Sequence, residues 1–248
     1  LQPATLAQAT SIRTAVSRAG LLGTRIYVDH GRPGRIGLAA DLADAVVVEG
    51  TTRTPATELM RVIRPRGRLI INGQVRVKPV PRGTGEWSHP YHGADNNPQS
   101  QDQLAKAPYL TKFLATPWYG PMPEVTVSSG GRMFKAFGFL AFKRREWPMV
   151  GKLVCLNGYN GATLWTKLLT PGFMIHRNTI VATPETLYLA DNTSCKLIDA
   201  ATGTVRDEIV VPDSHAAHGT TWKWMTLRDG VLYAMVGTTE KLHQVHLG

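Results

Sequence analysis

Two stretches of this chain combine the residue types that metals and acid–base chemistry require. In "EWSHPYHGADNN", His89, His92 and Asp95 follow one another at intervals of three. Imidazole nitrogens and a carboxylate at that spacing offer donors to zinc or copper. They equally suit a loop in which Trp87 packs while His89 and Asp95 hydrogen-bond. His215 and His218, in "DSHAAHG", repeat the histidine spacing. His176 and Arg177, in "MIHRNT", are polar residues in strand-like surroundings, where they would contact a ligand in a central channel. Asp29 and Glu49 each end an apolar run, the position from which α/β proteins reach a ligand. Exposed loop acids occupy the same positions.

The elements that must hold these residues differ along the chain. Residues 4–19 place Leu6, Ile12, Val16 and Ala19 at helical spacing. "TRIYVDHG" (24–31) reads as a strand. "ADAVVVEG" (43–50) reads as a continuous buried strand of the parallel-sheet kind. "PATELMRVIRP" (55–65) predicts a short helix stopped by Pro65, and "RGRLIING" (66–73) a further strand. Helix, two strands, helix and strand on short loops describe an α/β unit. From Lys78 to Pro123 the composition turns to Pro, Gly, Asn, Gln and aromatics, and "VKPVPRGTGEW" (77–87) predicts an extended connector.

Beyond that connector the chain repeats itself. Leu187-Tyr188 recurs as Leu232-Tyr233, and Lys196-Leu197 as Lys241-Leu242, both 45 residues on. "LVCLNGYNGATLW" (153–165) precedes "CKLIDAATGTVRD" (195–207), with Gly161 falling on Gly203 42 residues later. A period of about 40–50 residues holding several short strands marks a β-propeller blade. Gly161 supplies a positive backbone angle at the turn, and Trp165 is expected deep between blades. Of Trp222 and Trp224 in "TWKWM", one is expected in the core and one at a blade interface. A closed propeller takes roughly four to eight blades, and two to three fit after residue 123. The sequence is therefore expected to be a portion of a longer protein, cut at both ends.

Two resemblances follow from these residues. "LADAVVVEG…ELMRVIRPRGRLIIN" resembles the latter half of a class I S-adenosylmethionine-dependent methyltransferase, carried by Glu58, Arg61, Val62, Pro65 and Gly67; Arg66 stands where that family usually has Gly. The family's Gly-rich cofactor loop and ribose-binding acid would lie upstream of Leu1, so the resemblance implies no methyl transfer by this piece alone. Asp29 and Glu49 would at most rim such a cofactor pocket. The repeat resembles the quinoprotein-type (PQQ-like) propeller, with Asn157 and Asn160, then Asp199, Thr202 and Gly203, at its turn positions, and Asp207 where the first copy has Trp165. "EWSHPYHGADNN" resembles the lead-in from a methyltransferase-like domain to such a propeller in planctomycete-type secreted bacterial proteins.

The resemblances imply a multidomain chain, α/β plus all-β. Residues 1–76 would be a partial Rossmann-like methyltransferase unit, 77–123 a linker and lead-in, and 124–248 an incomplete PQQ-like β-propeller. The first function implied is a periplasmic or secreted binding or assembly module with protein partners. The alternatives are a methyltransferase using S-adenosylmethionine and a dehydrogenase using pyrroloquinoline quinone, both in the full-length protein. In the dehydrogenase, His176 and Arg177 would contact the quinone.

Composition narrows the partners. Twenty-eight Lys and Arg against 18 Asp and Glu give a net charge of +10. The cations are scattered, with "FKRREW" (142–147) the tightest run, so a solvated basic surface is expected rather than a nucleic-acid interface. Cys155 and Cys195 match no zinc or redox framework and lie in apolar strand patterns, as small buried hydrophobes do. No window approaches the ~20 apolar residues of a membrane span.

Overall fold

Thr5 starts the first helix. In this computed structural model, which describes residues 1–239 apart from Pro33 and Leu110, its hydroxyl accepts from the Gln8 N–H while the Gln8 side chain accepts from the Thr5 N–H. This reciprocal cap opens α1 (Leu6–Arg18). The chain divides into two compact units, Leu1–Pro81 and Arg82–Gly248.

In the first unit the strand expected over 24–31 does not form. Only an isolated Leu22–Ile26 bridge appears, and Leu1 takes up the backbone groups instead, donating to the Tyr27 carbonyl and accepting from the Asp29 N–H. An apolar run becomes a strand only where a neighbour satisfies its backbone. β1 (Ala43–Val48) runs parallel to β2 (Ile63–Ile71), and α2 (Ala56–Val62) joins them. β1 is not the fully buried strand expected. Val46 and Val48 pack with Leu59, Val62 and Leu69, whereas Val47 is exposed. The helix also stops before Pro65: proline disfavours helical geometry in the residue ahead of it, and Ile63 is already extended. Arg66 and Gly67 then bulge, and a Cβ on Gly67 would fall 2.6 Å from Ile63 Cγ2. β3 (Gln74–Val77) folds back antiparallel across Asn72 and Gly73, at φ 47° and 82°, the geometry of a tight hairpin turn.

The second unit is built of antiparallel sheets. β4 (Met122–Ser129), β5 (Arg132–Leu140), β6 (Lys152–Asn157) and β7 (Thr163–Leu168) form one four-stranded sheet in chain order. β8 (Ile180–Ala182), β9 (Thr186–Ala190), β10 (Ser194–Asp199) and β11 (Val205–Val210) form a second of the same plan. After α3 (Asp213–Ala216), β12 (Thr221–Arg228) and β13 (Val231–Gly237) make a hairpin. The sheets pack face on face. Phe134, Leu153 and Cys155 of the first meet Leu187, Leu189 and Ile198 of the second, and Val181 and Cys195 of the second meet Trp222 and Met225 of the hairpin. The first strands of the three sheets are neighbours in sequence order, β4 against β8 and β8 against β12. Radially stacked four-stranded meanders with their first strands innermost are the plan of propeller blades. The third copy of the repeat, Lys241-Leu242, lies outside the described residues.

The two blade turns are built alike. Gly161 (φ 73°) donates to the Asn157 carbonyl and Gly203 (φ 75°) to the Asp199 carbonyl. Asn157 Oδ1 accepts from the Tyr159 N–H, and Asp199 Oδ1 from the N–H groups of Ala201 and Thr202. The alternation of Asn and Asp at this position is therefore one structural role filled twice.

Candidate functional site

The segment from Glu86 to Asn96 crosses the innermost strands of all three sheets at one end. Trp87 exchanges two backbone hydrogen bonds with Ser128 of β4, at 3.1 and 2.6 Å. The Ser88 carbonyl accepts from the Ala182 N–H of β8 at 2.9 Å. His89 Nε2 accepts from the Leu227 N–H of β12 at 3.1 Å, and the Ala94 carbonyl from the Thr226 hydroxyl at 3.4 Å. Glu86 anchors the start, accepting from Ser129 Oγ at 2.7 Å and the Gly130 N–H at 2.9 Å. The segment is a strap across the three sheets of the second unit.

Its shape comes from a tight turn over His89–Pro90–Tyr91–His92, closed by backbone bonds between the two histidines and by the Trp87 indole N–H on the Pro90 carbonyl. Trp87 meets the His92 ring edge-on, centroids 5.3 Å apart. His89 is buried and its pKa falls below the ordinary 6.5: burial disfavours the imidazolium, the nearby Asp95 carboxylate opposes the shift, and His92 reinforces it. The network also assigns its tautomer. Nε2 accepts from Leu227, so Nδ1 carries the proton and donates to Ser88 Oγ at 2.8 Å, and Ser88 Oγ reaches the His92 carbonyl at 3.4 Å. Behind it lies a cavity of about 10 Å³ between the strap and Trp224, Met225 and Thr226, room for about one water.

His89, His92 and Asp95 therefore share a turn but not a donor cluster. Both nitrogens of His89 are committed, and Asp95 is exposed, accepting from the Asn97 N–H. Among the described residues, no three His, Cys, Asp or Glu side chains are placed to hold a metal ion. His215 and His218 are exposed around α3, where Ser214 Oγ meets His215 Nδ1.

His176 and Arg177 part company. His176 is exposed, whereas Arg177 is buried and donates to the Gly172 carbonyl (3.3 Å) and Asn192 Oδ1 (2.7 Å). It staples the passage between the two sheets to the β9–β10 turn. Pyrroloquinoline quinone does not fit these residues as a pair, since His176 is exposed whereas Arg177 is buried with Nη1 held by Gly172 and Asn192. In the first unit, Asp29 turns an oxygen to the Gly31 N–H and lines an open pocket of about 400 Å³ with Arg32, Arg35 and Gly37. Glu49 is exposed after β1 and lies outside that lining. S-adenosylmethionine does not fit here either. Asp29 and Glu49 do not line one pocket, and α2, entered through Pro55, has only seven residues, so it offers no extended helix N-terminus to the cofactor's carboxylate.

Trp165 seals the junction between the two complete sheets, partly rather than deeply buried. Its indole N–H donates to the Ala200 carbonyl at 3.1 Å, and Phe134 packs beside it with centroids 5.9 Å apart. A Cβ on Gly203 would come within 2.8 Å of the indole. The strap contacts of Glu86 and Ser88 leave no periodic signal in the sequence: a Trp-Ser-His run in an aperiodic segment does not say which strands it meets.

No protein-family model matches the chain, and no curated protein matches it. Among solved structures it is similar to BamB from Moraxella catarrhalis, at 17% identity and a TM-score of 0.31. The match covers 45% of this chain and 30% of that one, so the chain spans less than a third of BamB's length. No helix among the described residues is long and apolar enough to cross a membrane.

Proposed function

We propose that residues 124–248 are blades of a quinoprotein-type β-propeller that acts outside the cytoplasm as a binding or assembly module for other proteins. One observation carries the reading: β4–β7 and β8–β11 are four-stranded meanders of one plan whose first strands lie side by side, as propeller blades do. A binding module of this kind works through its surface. β11 offers such a surface: it is the outer strand of a complete sheet, with Val210 exposed, and extended segments of partners dock by adding to sheets or covering their faces. Residues 77–123 serve in this reading as linker and lead-in. The extracytoplasmic placement rests on the resemblance of the repeat.

The test is a photo-crosslinking amino acid at Val210 of the full-length protein in its own cells. A discrete protein adduct, absent when the probe sits at exposed Arg53, is expected. Dye-linked alcohol or sugar oxidation after loading with the quinone and calcium would overturn the reading in favour of a dehydrogenase.

A second reading concerns residues 1–76, and the β1–α2–β2 crossover supports it. A parallel strand pair joined by a helix is the building unit of Rossmann-like sheets. We assign this unit to a methyltransferase-like domain whose cofactor would be held by parts of the full-length protein beyond these residues. Calorimetry with S-adenosylmethionine decides it: binding by the full-length protein and none by Leu1–Gly248 is expected, and micromolar binding by the short chain would overturn it.

A further inference from the structure

We propose that the loop between β5 and β6 docks the protein onto an anionic lipid surface. This loop, residues 141–151, leaves the first sheet at the end opposite the strap, since Met122 at the start of β4 pairs with Leu140 at the end of β5. It carries the one dense basic run of the chain, and the fold gives that run a defined shape. Glu146 caps the loop, accepting from the N–H groups of Phe142 and Lys143 at 2.9 and 3.1 Å, and residues Arg144–Met149 close a 3-10 turn. With the only local carboxylate committed to the backbone, Lys143, Arg144 and Arg145 all stand exposed. Arg145 lies flat over Tyr119, 3.8 Å from the ring centroid.

Large apolar groups project beside these cations. Phe142 is 74% exposed, Trp147 62% and Phe139 60%. Three bulky aromatics left in water on one loop and its stem are costly unless something covers them. What covers them must be apolar within and negative at its face. Trp settles at the headgroup level of a bilayer, Phe inserts with the apolar face of an interfacial segment, and cations alongside them draw a surface toward anionic lipid. Glu146 keeps its charge but is held at the backbone, and against Lys143, Arg144 and Arg145 it leaves the loop a net charge of about +2. An acidic protein would satisfy the cations, but it would have to supply pockets for three projecting rings.

Vesicle co-sedimentation with the full chain tests this, using phosphatidylcholine alone and phosphatidylcholine with about a third phosphatidylglycerol. Binding to the anionic vesicles only is expected, weakening as salt is raised. K143Q/R144Q/R145Q should lose roughly a hundredfold in partitioning, at about fivefold per cation, and F142A/W147A about tenfold or more. A control, R25Q/R53Q/R76Q, removes three exposed charges elsewhere and should change partitioning less than about threefold. All three variants should keep the wild-type melting temperature, because the altered side chains are exposed. Absence of binding to anionic vesicles, equal binding to both kinds, or an equal loss in the control would overturn the proposal. So would binding of a DNA duplex or poly-glutamate that vesicles cannot displace, which would hand the patch to an acidic macromolecule.

Discussion

The indole of Trp165, on the last strand of the first sheet, donates to the carbonyl of Ala200 in the turn of the second. That bond joins one sheet to the next beside the Lys167 Nζ bond to the Gly203 carbonyl, and the Ala200 carbonyl lies in the same Asp199–Gly203 turn whose open glycine face receives the ring. Side chain and turn form one joint.

Trp165→Ala should therefore destabilise the protein by about 2–3 kcal/mol, less than the ~3–5 kcal/mol of a fully buried tryptophan, because the ring is partly exposed. Gly203→Ala should cost more than about 1 kcal/mol, through its left-handed backbone and the approach of its new Cβ to the ring. Because both act on one contact, the double variant should fall short of the sum. Urea unfolding of the four proteins measures this, and full additivity would show the joint to be two unrelated features.

How much of this joint and of the strap could be read from the sequence differs for a physical reason. Gly161, Gly203, Asn157 and Asp199 recur at a fixed spacing because each turn repeats the same local backbone problem, so the blade turns were legible. The Asn72-Gly73 pair is an equally local signal, of a hairpin turn into Gln74–Val77. The strap had none. Trp87 pairs with Ser128, Ser88 with Ala182 and His89 with Leu227, through atoms every residue has or at separations no periodicity encodes. The failed strand at 24–31 shows the same limit from the other side: "RIYV" records an apolar preference, not the presence of a partner.

Cys155 and Cys195 face successive sheet junctions, Cys155 Sγ 3.9 Å from the Ala200 carbonyl and Cys195 Sγ 4.0 Å from Met225 Sδ. Both are free and buried, and burial pushes each thiol up to about 12. Since the thiolate is the reacting form, neither should be alkylated by iodoacetamide at pH 8 in the native protein, and both should react once urea unfolds it. Mass spectrometry after a timed exposure reads the result. Labelling of the folded chain at the rate of the unfolded one would mean the junctions open freely.

Asp191 is almost wholly buried at the β9–β10 turn, where it accepts from Lys196 Nζ at 2.5 Å and from the N–H groups of Thr193 and Ser194. Burial pushes its carboxyl up, but Lys196 and the turn N–H groups outweigh this and hold it below the ordinary value. Asp191→Ala leaves Lys196, itself mostly buried, without its counter-charge and should cost about 3–5 kcal/mol. Lys196→Met should cost less, because the turn N–H groups still satisfy the carboxylate. The double variant D191A/K196M should recover part of the loss of D191A. Equilibrium unfolding checks the cycle, and a double variant no better than D191A would assign the cost to the turn rather than to the pair.

His89 makes the strap's grip depend on pH. In the folded protein Nε2 must stay unprotonated to accept from the Leu227 N–H, and burial holds the imidazole pKa below 6.5. The groups facing it are Ser88, His92 and Asp95 on the strap, and from β12 the neutral Trp224, Met225 and Thr226, so nothing on β12 would compensate an imidazolium. As pH falls through 6.5 the unfolded chain takes up a proton that the folded chain refuses, so the unfolded state binds more protons and stability must fall with decreasing pH. The contribution is constant above about pH 7.5, has a slope of at most about 1.4 kcal/mol per pH unit below 6.5, and flattens once pH passes the lowered folded value. His89→Gln keeps an acceptor for Leu227 but cannot titrate. Subtracting its urea-midpoint curve from that of the wild type between pH 8 and 5 should isolate this slope from the other histidines. The Leu227 amide should also exchange with solvent faster at pH 5.5 in the wild type, after correction for intrinsic rates, and not in His89→Gln. Parallel stability curves for the two proteins would show that the strap is held by its backbone bonds alone.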